Sequence, residues 1–326
     1  MNYDEAIEKF ELLFENKMSE EDAKNFLVEM YERGETADEI AAAAKVMREH
    51  SIKLHIPKDL QEKLIDNCGT GGDKSNTFNI STTTSLLLAS AGSYVAKHGN
   101  RSITSKSGSA DMLEVLGINL NLTPENQVKM LEDTGFCFIF AQNHHPAMKY
   151  IMPIRKSLNH RTIFNILGPL TNPAGVTKQF IGVFSPDYID KIIEALVMLN
   201  SKKAMVVSSL DGMDEISIEA ESVCAFFDGD KINRFKIEPN EYNLYGKKLN
   251  LIGGDAKKNA QITFEILSGN EKGDKRNVVV LNSAFALMID GKVNDVKSGI
   301  EMAEYLIDSG KAKEKLNQII KVSELF

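Results

Sequence analysis

The chain has 326 residues, of which 43% are hydrophobic and 26% are charged, and its formal net charge at pH 7 is −8. This length exceeds that of most single-core domains, so two domains are expected. The acidic balance disfavours a nucleic-acid partner, because such binding depends mainly on Lys and Arg that neutralise phosphates. No apolar run reaches the roughly 18 residues of a membrane span, and the acidic start lacks a signal-peptide pattern. We therefore expect a cytoplasmic protein with no membrane partner.

The three cysteines, Cys68, Cys137 and Cys224, are odd in number and widely separated. They lack the Cys-x-x-Cys spacing of many zinc and redox sites. The pattern indicates neither a disulfide framework nor a thiolate metal site, and it fits a reducing compartment.

The first sixty or so residues predict helices only. Ser19, with Asp22 three positions later, is suited to cap a helix that ends near Gly34. Thr36 and Glu39 have the spacing of a capping box for the next helix. An all-helical N-terminal unit follows from these signals.

From about residue 64 onward, short β-favouring runs alternate with helical patterns, which is typical of an α/β unit with a largely parallel sheet. The runs that predict strands include residues 136–141, 180–184, 204–207 and 278–281. The turn sequence Asp228-Gly229-Asp230 separates runs 223–227 and 232–237 and predicts a hairpin at an antiparallel edge. The last sixty residues return to helical patterns. A cleft between the helical unit and the α/β unit is where a ligand is expected.

The strongest local signal is Gly69-Thr70-Gly71-Gly72-Asp73, between a strand-like run at 64–68 and a helical pattern that begins near Asn79. Glycines let the backbone approach a ligand closely and direct successive N–H groups at anionic oxygens. Lys74 occupies the final glycine position of a dinucleotide motif, so that interpretation does not apply. From these five residues alone, a plain strand-to-helix turn remains an alternative.

Two further segments strengthen the phosphate interpretation. Asn79-Ile80-Ser81-Thr82 places three hydrogen-bonding side chains at a helix N-terminus, where free N–H groups and the helix dipole favour a phosphate. Lys97-His98-Gly99-Asn100-Arg101 follows a strand-like run and leads into a stretch rich in hydroxyl groups. Such a loop can wrap a phosphorylated ligand, although a solvated basic loop is an equal alternative for this segment taken alone.

An acidic pair and a basic helix complete the candidates. Asp214 and Glu215 follow the strand-like run at 204–208, and adjacent carboxylates at the end of a strand are suited to hold magnesium together with water and phosphate oxygens. A polar surface turn is the alternative. Arg155 lies in a cation-rich helical stretch and could bind a carboxylate through both guanidinium nitrogens, or form an ordinary surface salt bridge. The consecutive His144 and His145 diverge and do not indicate a metal site.

Seven motifs in this order and spacing resemble the anthranilate phosphoribosyltransferase family. They are Gly69-Thr-Gly-Gly-Asp73, Asn79-Ile-Ser-Thr82, Lys97-His-Gly-Asn-Arg101, Gly108-Ser-Ala-Asp111, His145-Pro-Ala-Met-Lys149, Arg161-Thr-Ile-Phe-Asn165 and Gly212-Met-Asp-Glu215. The resemblance extends over nearly the whole chain. It departs mildly at Asn159-His160, where the family often has a glycine, and at His144, where an aromatic residue is common.

The resemblance implies a small helical domain, residues 1–65 joined in space by roughly 146–173. It implies a larger α/β domain of the nucleoside-phosphorylase type, residues 66–145 and 174–326, with a mostly parallel sheet flanked by helices. A homodimer formed through the helical domain is also implied. The expected reaction transfers the phosphoribosyl group of phosphoribosyl pyrophosphate to the amine of anthranilate, with Mg²⁺ as cofactor.

The resemblance also assigns residues to each ligand. Residues expected to bind phosphoribosyl pyrophosphate are Gly69, Gly72, Asp73, Thr77, Asn79, Ile80, Ser81, Thr82, Lys97, His98, Gly99, Asn100, Arg101, Ser102, Ile103, Thr104, Ser105 and Ser109. Those expected to contact anthranilate are Gly69, His98, Asn100 and Arg155, with Arg155 facing the carboxylate. Ser81, Asp214 and Glu215 are expected to hold the metal.

The expected chemistry places most of its demand on the leaving group. Lys97 and magnesium would neutralise the charge that grows on departing pyrophosphate, so Lys97 is the one catalytic residue predicted, with an electrostatic role. The amine of anthranilate is neutral at pH 7, and we identify no general base. Two alternatives remain: a pyrimidine nucleoside phosphorylase, whose Lys-His-Ser-Thr-Gly-Gly string is absent here, and a non-catalytic relative that binds nucleic acid.

Overall fold

The structure is a computed structural model that describes residues 1–101 and 106–326. Four helices precede the first strand: α1 (Tyr3–Phe14), α2 (Glu20–Arg33), α3 (Ala37–Glu49) and the short α4 (Lys58–Gln61). Ser19 caps α2 by accepting a hydrogen bond of 3.1 Å from the Asp22 N–H. Thr36 and Glu39 form the capping box at the start of α3. The predicted helical N-terminus and both predicted caps are therefore confirmed.

Seven strands form one sheet in the order β3-β2-β1-β4-β5-β6-β7. Their ranges are β1 (Leu64–Asp66), β2 (Tyr94–Gly99), β3 (Phe136–Phe140), β4 (Lys178–Gly182), β5 (Lys203–Ser209), β6 (Ser222–Phe227) and β7 (Ile232–Ile237). The pairs among β1 to β5 are parallel, whereas β5–β6 and β6–β7 are antiparallel. The predicted parallel sheet with an antiparallel edge hairpin is confirmed.

The strand order reverses between β1 and β4. Strands β2 and β3 lie on one side of β1, whereas β4 and β5 lie on its other side. In an open parallel sheet, ligands bind beyond the carboxyl ends of the strands at such a point. The glycine-rich segment follows β1, the Lys97 segment ends β2, and the acidic pair follows β5. The topology therefore brings all three predicted motifs to one edge of the sheet.

Ten further α-helices in the described part of the chain flank or extend the sheet. They are α5 (Ile80–Ser90), α6 (Ser109–Val115), α7 (Pro124–Thr134), α8 (Ala141–His144), α9 (Met148–Ser157), α10 (Ile189–Met198), α11 (Ala256–Leu267), α12 (Asp274–Asp290), α13 (Val296–Asp308) and α14 (Lys311–Ser323). The strand predicted at 278–281 is wrong, since these residues lie inside α12. The run is β-branched, but α12 is buried on nearly all sides, and a short apolar run does not distinguish a buried helix from a strand.

The apolar residues that the structure describes form two cores. The larger core lies under β1 to β3 and α12, with Ile65 and Phe285 among its buried residues. The second core joins α1, α2 and α3 to residues 151–170, α10 and one face of β4 to β6, with Phe10 and Ile192 fully buried. The N-terminal helices thus share a core with α10 and with the β4 to β6 part of the sheet. Within the described residues, no helix has the length and apolar content required to cross a bilayer.

Candidate active site

The glycine-rich loop, residues 69–73, is held by one backbone hydrogen bond to the end of β4 and by one hydrogen bond to the side chain of Asp214. The Thr70 N–H donates to the Gly182 carbonyl at 2.8 Å, and the Gly71 N–H donates to Asp214 Oδ2 at 2.7 Å. Gly71 and Gly72 have φ angles of +65° and +77° and are exposed. Because L side chains rarely adopt such angles, this turn requires glycine. The loop therefore presents bare backbone next to the acidic pair.

A close approach between β4 and the acidic segment fixes this arrangement. A Cβ added to Gly182 would lie only 1.6 Å from the Asp214 carbonyl oxygen, so only glycine fits there. A Cβ on Gly69 would lie 2.9 Å from Asp214 Oδ2. On the other side, Asn282 of α12 donates to the Ile216 carbonyl and accepts from the Ile216 N–H, both at 3.0 Å. Asp214 and Glu215 are thus fixed on both sides, by the glycine loop and by α12.

The carboxylates at this point strongly perturb one another. Burial and the neighbouring Asp73 raise the pKa of Asp214 to about 7. Burial and the Asp214 charge also raise the pKa of Glu215, while Lys97 and the Ser81 N–H act in the opposite direction. Carboxylates that raise each other's pKa favour a bound cation or a shared proton. Among the described residues, no group of three His, Cys, Asp or Glu side chains forms a ready-made metal site, as is usual where magnesium takes most ligands from water and phosphate.

Lys97 lies beneath the site rather than in it. Its side chain is 1% exposed, and Nζ donates to the Asn67 carbonyl at 3.1 Å. The same Asn67 donates through Nδ2 to the Ser81 carbonyl at 2.8 Å. The ammonium lowers the pKa of the neighbouring acids Asp66 and Glu215. The predicted contact between Lys97 and a leaving group stays a prediction.

Asp66 is absent from the residues predicted from the sequence, yet it joins three segments of the chain. Its carboxylate accepts hydrogen bonds from the Cys68 N–H at 3.1 Å, the His98 N–H at 3.4 Å and Asn172 Nδ2 at 2.8 Å. Burial raises its pKa to about 6, although Lys97 opposes the shift. An acidic residue that ends a predicted buried strand is the signal by which sequence reasoning could have found it.

The N-terminus of α5 contributes polar groups as predicted, but several of them already have partners. Thr82 donates to Ser109 Oγ at 2.9 Å. Asn79 donates to the Ser107 carbonyl at 3.3 Å and accepts from Asn259 at 2.9 Å. Ile80 is buried, Thr77 forms a β-bridge with Ile252, and Ser81 is partly exposed. These contacts place the α5 and α6 N-termini side by side, and the bond from Asn67 to the Ser81 carbonyl joins the start of α5 to the segment before the glycine-rich loop.

The segment after β2 divides into two environments. His98 is buried, and its Nδ1–H donates to the Gly168 carbonyl at 2.8 Å, while its Nε2 lies 3.3 Å from Nε2 of His145. Burial lowers the pKa of His98 to about 4 and that of His145 to about 3, so both rings are neutral at pH 7. Arg101 instead pairs with α6, at 2.8 Å from Asp111 and 2.6 Å from Glu114. Gly99 has no room for a side chain, because an added Cβ would lie 2.7 Å from the Phe138 ring.

The rest of the predicted ligand set after β2 consists of Asn100 and residues 102–105. Asn100 Oδ1 accepts from Gln142 Nε2 at 3.1 Å, so its side chain lies near α8. The predicted ligand residues Ser102, Ile103, Thr104 and Ser105 lie outside the described residues.

Arg155 projects from α9 as a cation without a counter-ion among the described residues. Its guanidinium lies 5.6 Å from the centre of the Phe164 ring and 3.6 Å from Met152 Sδ. Burial lowers its pKa. The alternative of a surface salt bridge is therefore not observed, and the guanidinium remains available for a carboxylate ligand.

The sequence and the fold both match known proteins. A model of the glycosyl transferase family, a/b domain, matches residues 61–313, and a model of its helical bundle domain matches residues 1–51. Anthranilate phosphoribosyltransferase of Methanobrevibacter smithii is 45% identical over 98% of this chain and 95% of its own length. The chain belongs to the anthranilate phosphoribosyltransferase family. The family predicted from the motifs is confirmed.

Solved structures of this family agree with the fold. The crystal structure of anthranilate phosphoribosyltransferase from Thermus thermophilus matches with a TM-score of 0.93 and 36% identity, over 99% of this chain and 96% of that chain. The Saccharomyces cerevisiae enzyme in complex with PRPP and Mg matches with a TM-score of 0.85 and 29% identity, over 93% and 85% of the two chains. The predicted fold class, a small helical domain with a larger α/β domain, is confirmed.

Proposed function

We propose that the protein transfers the phosphoribosyl group of phosphoribosyl pyrophosphate to the amine of anthranilate, giving N-(5'-phosphoribosyl)anthranilate and pyrophosphate. This is a step of tryptophan biosynthesis. The observation that carries the proposal is the convergence of the glycine-rich loop, the α5 N-terminus and the acidic pair, with Gly71 N 2.7 Å from Asp214 Oδ2. Relatives that share 40–47% of their residues with this chain are named for the activity, and one similar structure contains PRPP and Mg.

The diphosphate of the donor fits the edge formed by the glycine-rich loop and α5. Free N–H groups in a glycine turn and at a helix N-terminus bind anionic oxygens, and the helix dipole adds to the attraction. The Glu215 carboxylate accepts from the Ser81 N–H, which ties the acidic pair to the same helix start. Asp66 holds the main chain of Cys68 and His98 and so sets the spacing between the two loops.

The donor set of Ser81, Asp214 and Glu215 fits Mg²⁺. Two carboxylates with raised pKa values and a partly exposed hydroxyl are hard oxygen ligands, and a divalent cation would remove the repulsion that keeps protons on Asp214 and Glu215. When bound, the ion would supply charge neutralisation for pyrophosphate. The buried Lys97 would add a fixed positive field from below.

Anthranilate would lie across the cleft from the donor. Its carboxylate would meet the unpaired guanidinium of Arg155, which can donate two parallel hydrogen bonds. Gly69, His98 and Asn100 would border the ring and the amine. The amine nitrogen forms a bond to C1 of the sugar, the bond from C1 to the diphosphate oxygen breaks with its electron pair, and the surplus amine proton passes to water. No strong base is needed for this step, and the lowered pKa values of His98 and His145 make both rings weak bases, in agreement with that expectation.

The proposal includes a homodimer formed through the helical domain and a cytoplasmic location. The homodimer follows from the resemblance to the family, and the location follows from the three widely separated cysteines, which fit a reducing compartment. Light scattering of the purified protein at a mass of 36.2 kDa per chain distinguishes a dimer from a monomer.

One assay tests substrate, donor and metal together. Purified protein mixed with anthranilate, phosphoribosyl pyrophosphate and Mg²⁺ is expected to consume anthranilate, which is followed as a decrease of its fluorescence. Omission of either the donor or the metal should stop the reaction. Glu215→Gln, which keeps the shape of the side chain, should lose most of the activity. Turnover of a pyrimidine nucleoside with phosphate, or binding of single-stranded DNA without any transfer, would favour one of the alternatives and contradict the proposal.

A further inference from the structure

Arg161 connects the helical part of the molecule to the glycine-rich loop. It lies between α9 and a short 3-10 turn, Ile163–Asn165. Its guanidinium carbon lies 3.7 Å from the centre of the Phe184 ring, just after β4, and Nη2 donates a hydrogen bond to the Gly72 carbonyl. It forms no ion pair with any residue that the structure describes, so the ring and the carbonyl are its principal contacts.

The backbone next to Arg161 is attached to the N-terminal helices through His160. His160 stacks on Tyr31 of α2, with ring centres 4.0 Å apart and planes inclined by 18°. The Nδ1–H of His160 donates to the Arg161 carbonyl at 2.7 Å. Arg161 therefore reaches the glycine-rich loop from a backbone that is anchored on the opposite side of the cleft.

A hydrogen bond to the Gly72 carbonyl also determines the direction of the next N–H group. In a trans peptide the carbonyl and the following N–H point in opposite directions, so a bond from Arg161 to the Gly72 oxygen turns the Asp73 N–H away from Arg161. Within residues 1–101 and 106–326, the N–H groups of Gly72 and Asp73 have no hydrogen-bond partner. Gly72 is exposed with φ +77°, and a glycine turn without such a tether samples many conformations.

We propose that Arg161 is a positioning residue for the diphosphate: it fixes the Gly72–Asp73 peptide so that the free Asp73 N–H faces the anion, beside the free N–H of Gly72. Asp214 holds the loop through the Gly71 N–H, and Arg161 holds it one residue later through a carbonyl. Phe184 keeps the guanidinium plane in place by stacking. The inference rests on the proposed function and adds to it a residue that the reaction itself does not require.

Calorimetric titration with Mg²⁺ and inorganic pyrophosphate tests the inference, because this probe needs no transfer to anthranilate. Arg161→Ala is expected to weaken binding about tenfold relative to the unmodified protein. Arg161→Lys keeps the charge but lacks the planar group, so it should recover less than half of that loss on a logarithmic scale. Arg234→Ala is the matched control, since Arg234 is an exposed arginine paired with Asp190 away from the site, and it should bind as the unmodified protein does.

Steady-state kinetics supply a second readout that a merely structural role would not produce. In Arg161→Ala the KM for phosphoribosyl pyrophosphate should rise about tenfold, while that for anthranilate stays within about twofold. Unchanged pyrophosphate binding in Arg161→Ala, an equal rise in both KM values, or full recovery by Arg161→Lys would overturn the inference. If the unmodified protein itself binds no pyrophosphate, the proposed function fails instead.

Discussion

Replacing Asp214 by asparagine is expected to make the metal-free protein more stable and, at the same time, to remove its magnesium-dependent activity. The carboxylate lies next to Asp73 and Glu215, where burial and like charge disfavour ionisation. Asparagine has nearly the same shape, and its Oδ1 can still accept the hydrogen bond that the Gly71 N–H donates at 2.7 Å. It lacks the charge, so it neither repels the other acids nor attracts a cation.

The size of the effect follows from the pKa. That of Asp214 is raised to about 7 from an ordinary value of 3.8. A difference of about 3 pH units corresponds to roughly 4 kcal/mol against the ionised form. Because the side chain keeps partial exposure, solvent screening reduces this cost, and we expect a gain of about 2 kcal/mol for Asp214→Asn at pH 8.

The pH dependence has a definite sign. For an acid with a raised folded-state pKa, the cost of ionisation is absent below the unfolded pKa of 3.8 and is complete above about 7. The gain in Asp214→Asn should therefore grow between these values and amount to less than about half of its full size at pH 5.

Urea unfolding in the presence of EDTA, at pH 5 and at pH 8, measures both the gain and its growth. Asp228→Asn is the matched control, because N–H groups of Lys231 and Asp230 lower the pKa of that exposed carboxyl and its replacement should not stabilise. Addition of Mg²⁺ with pyrophosphate should stabilise the unmodified protein and leave Asp214→Asn unchanged. An Asp214→Asn protein that is less stable than the unmodified protein at pH 8, or a gain in stability that is equal at both pH values, would contradict this prediction.

Three further substitutions test other parts of the site. Arg155→Ala should raise the KM for anthranilate at least about tenfold and that for phosphoribosyl pyrophosphate by less than about twofold; equal effects in the kinetic assay would show that the assignment is wrong. Asn282→Ala removes both side-chain hydrogen bonds to Ile216 and should lower the unfolding free energy by about 2–3 kcal/mol, with weaker Mg²⁺ dependence; an unchanged urea midpoint would contradict it. Gly182→Ala would place a Cβ 1.6 Å from the Asp214 carbonyl oxygen, so activity should disappear, and retained turnover would exclude the observed approach of β4 to the acidic pair.

Local signals in the sequence are sufficient for most of the fold. At Ser19 and Thr36 the side chain accepts a hydrogen bond from an N–H group three residues later. Such caps can be predicted from residue types and their spacing in the sequence. The β6–β7 hairpin is predictable because Asp228-Gly229-Asp230 separates two apolar runs. The failure at 278–281 has the opposite cause, since α12 is surrounded by apolar neighbours and its burial hides the helical period.

The placement of the site is predictable to the level of motifs. Because the carboxyl ends of parallel strands share one edge, Gly71 and Asp214 could be expected near each other although 143 residues separate them. The orientation of single side chains could not. Lys97 lies near the end of β2, and both faces of this sheet are covered. The alternation of apolar and polar residues along β2 therefore does not predict that Nζ turns into the core toward Asn67.

The contacts that sequence reasoning missed join distant segments through single polar groups. Asp66 and Asn172 are 106 residues apart, and Arg161 and Gly72 are 89 apart. Each partner has an ordinary local explanation, as a strand end, a turn or a helix-flanking cation. Only the approach of the helical segment to the sheet edge reveals the pairing, and that approach depends on packing of the second core.

A crystal structure of the protein with phosphoribosyl pyrophosphate and Mg²⁺ would show directly where the diphosphate and the metal bind. We expect the diphosphate between the glycine-rich loop and the N-terminus of α5, with the metal bound by Asp214, Glu215 and diphosphate oxygens. Density for the diphosphate at another edge of the sheet, or a metal bound away from the acidic pair, would contradict it.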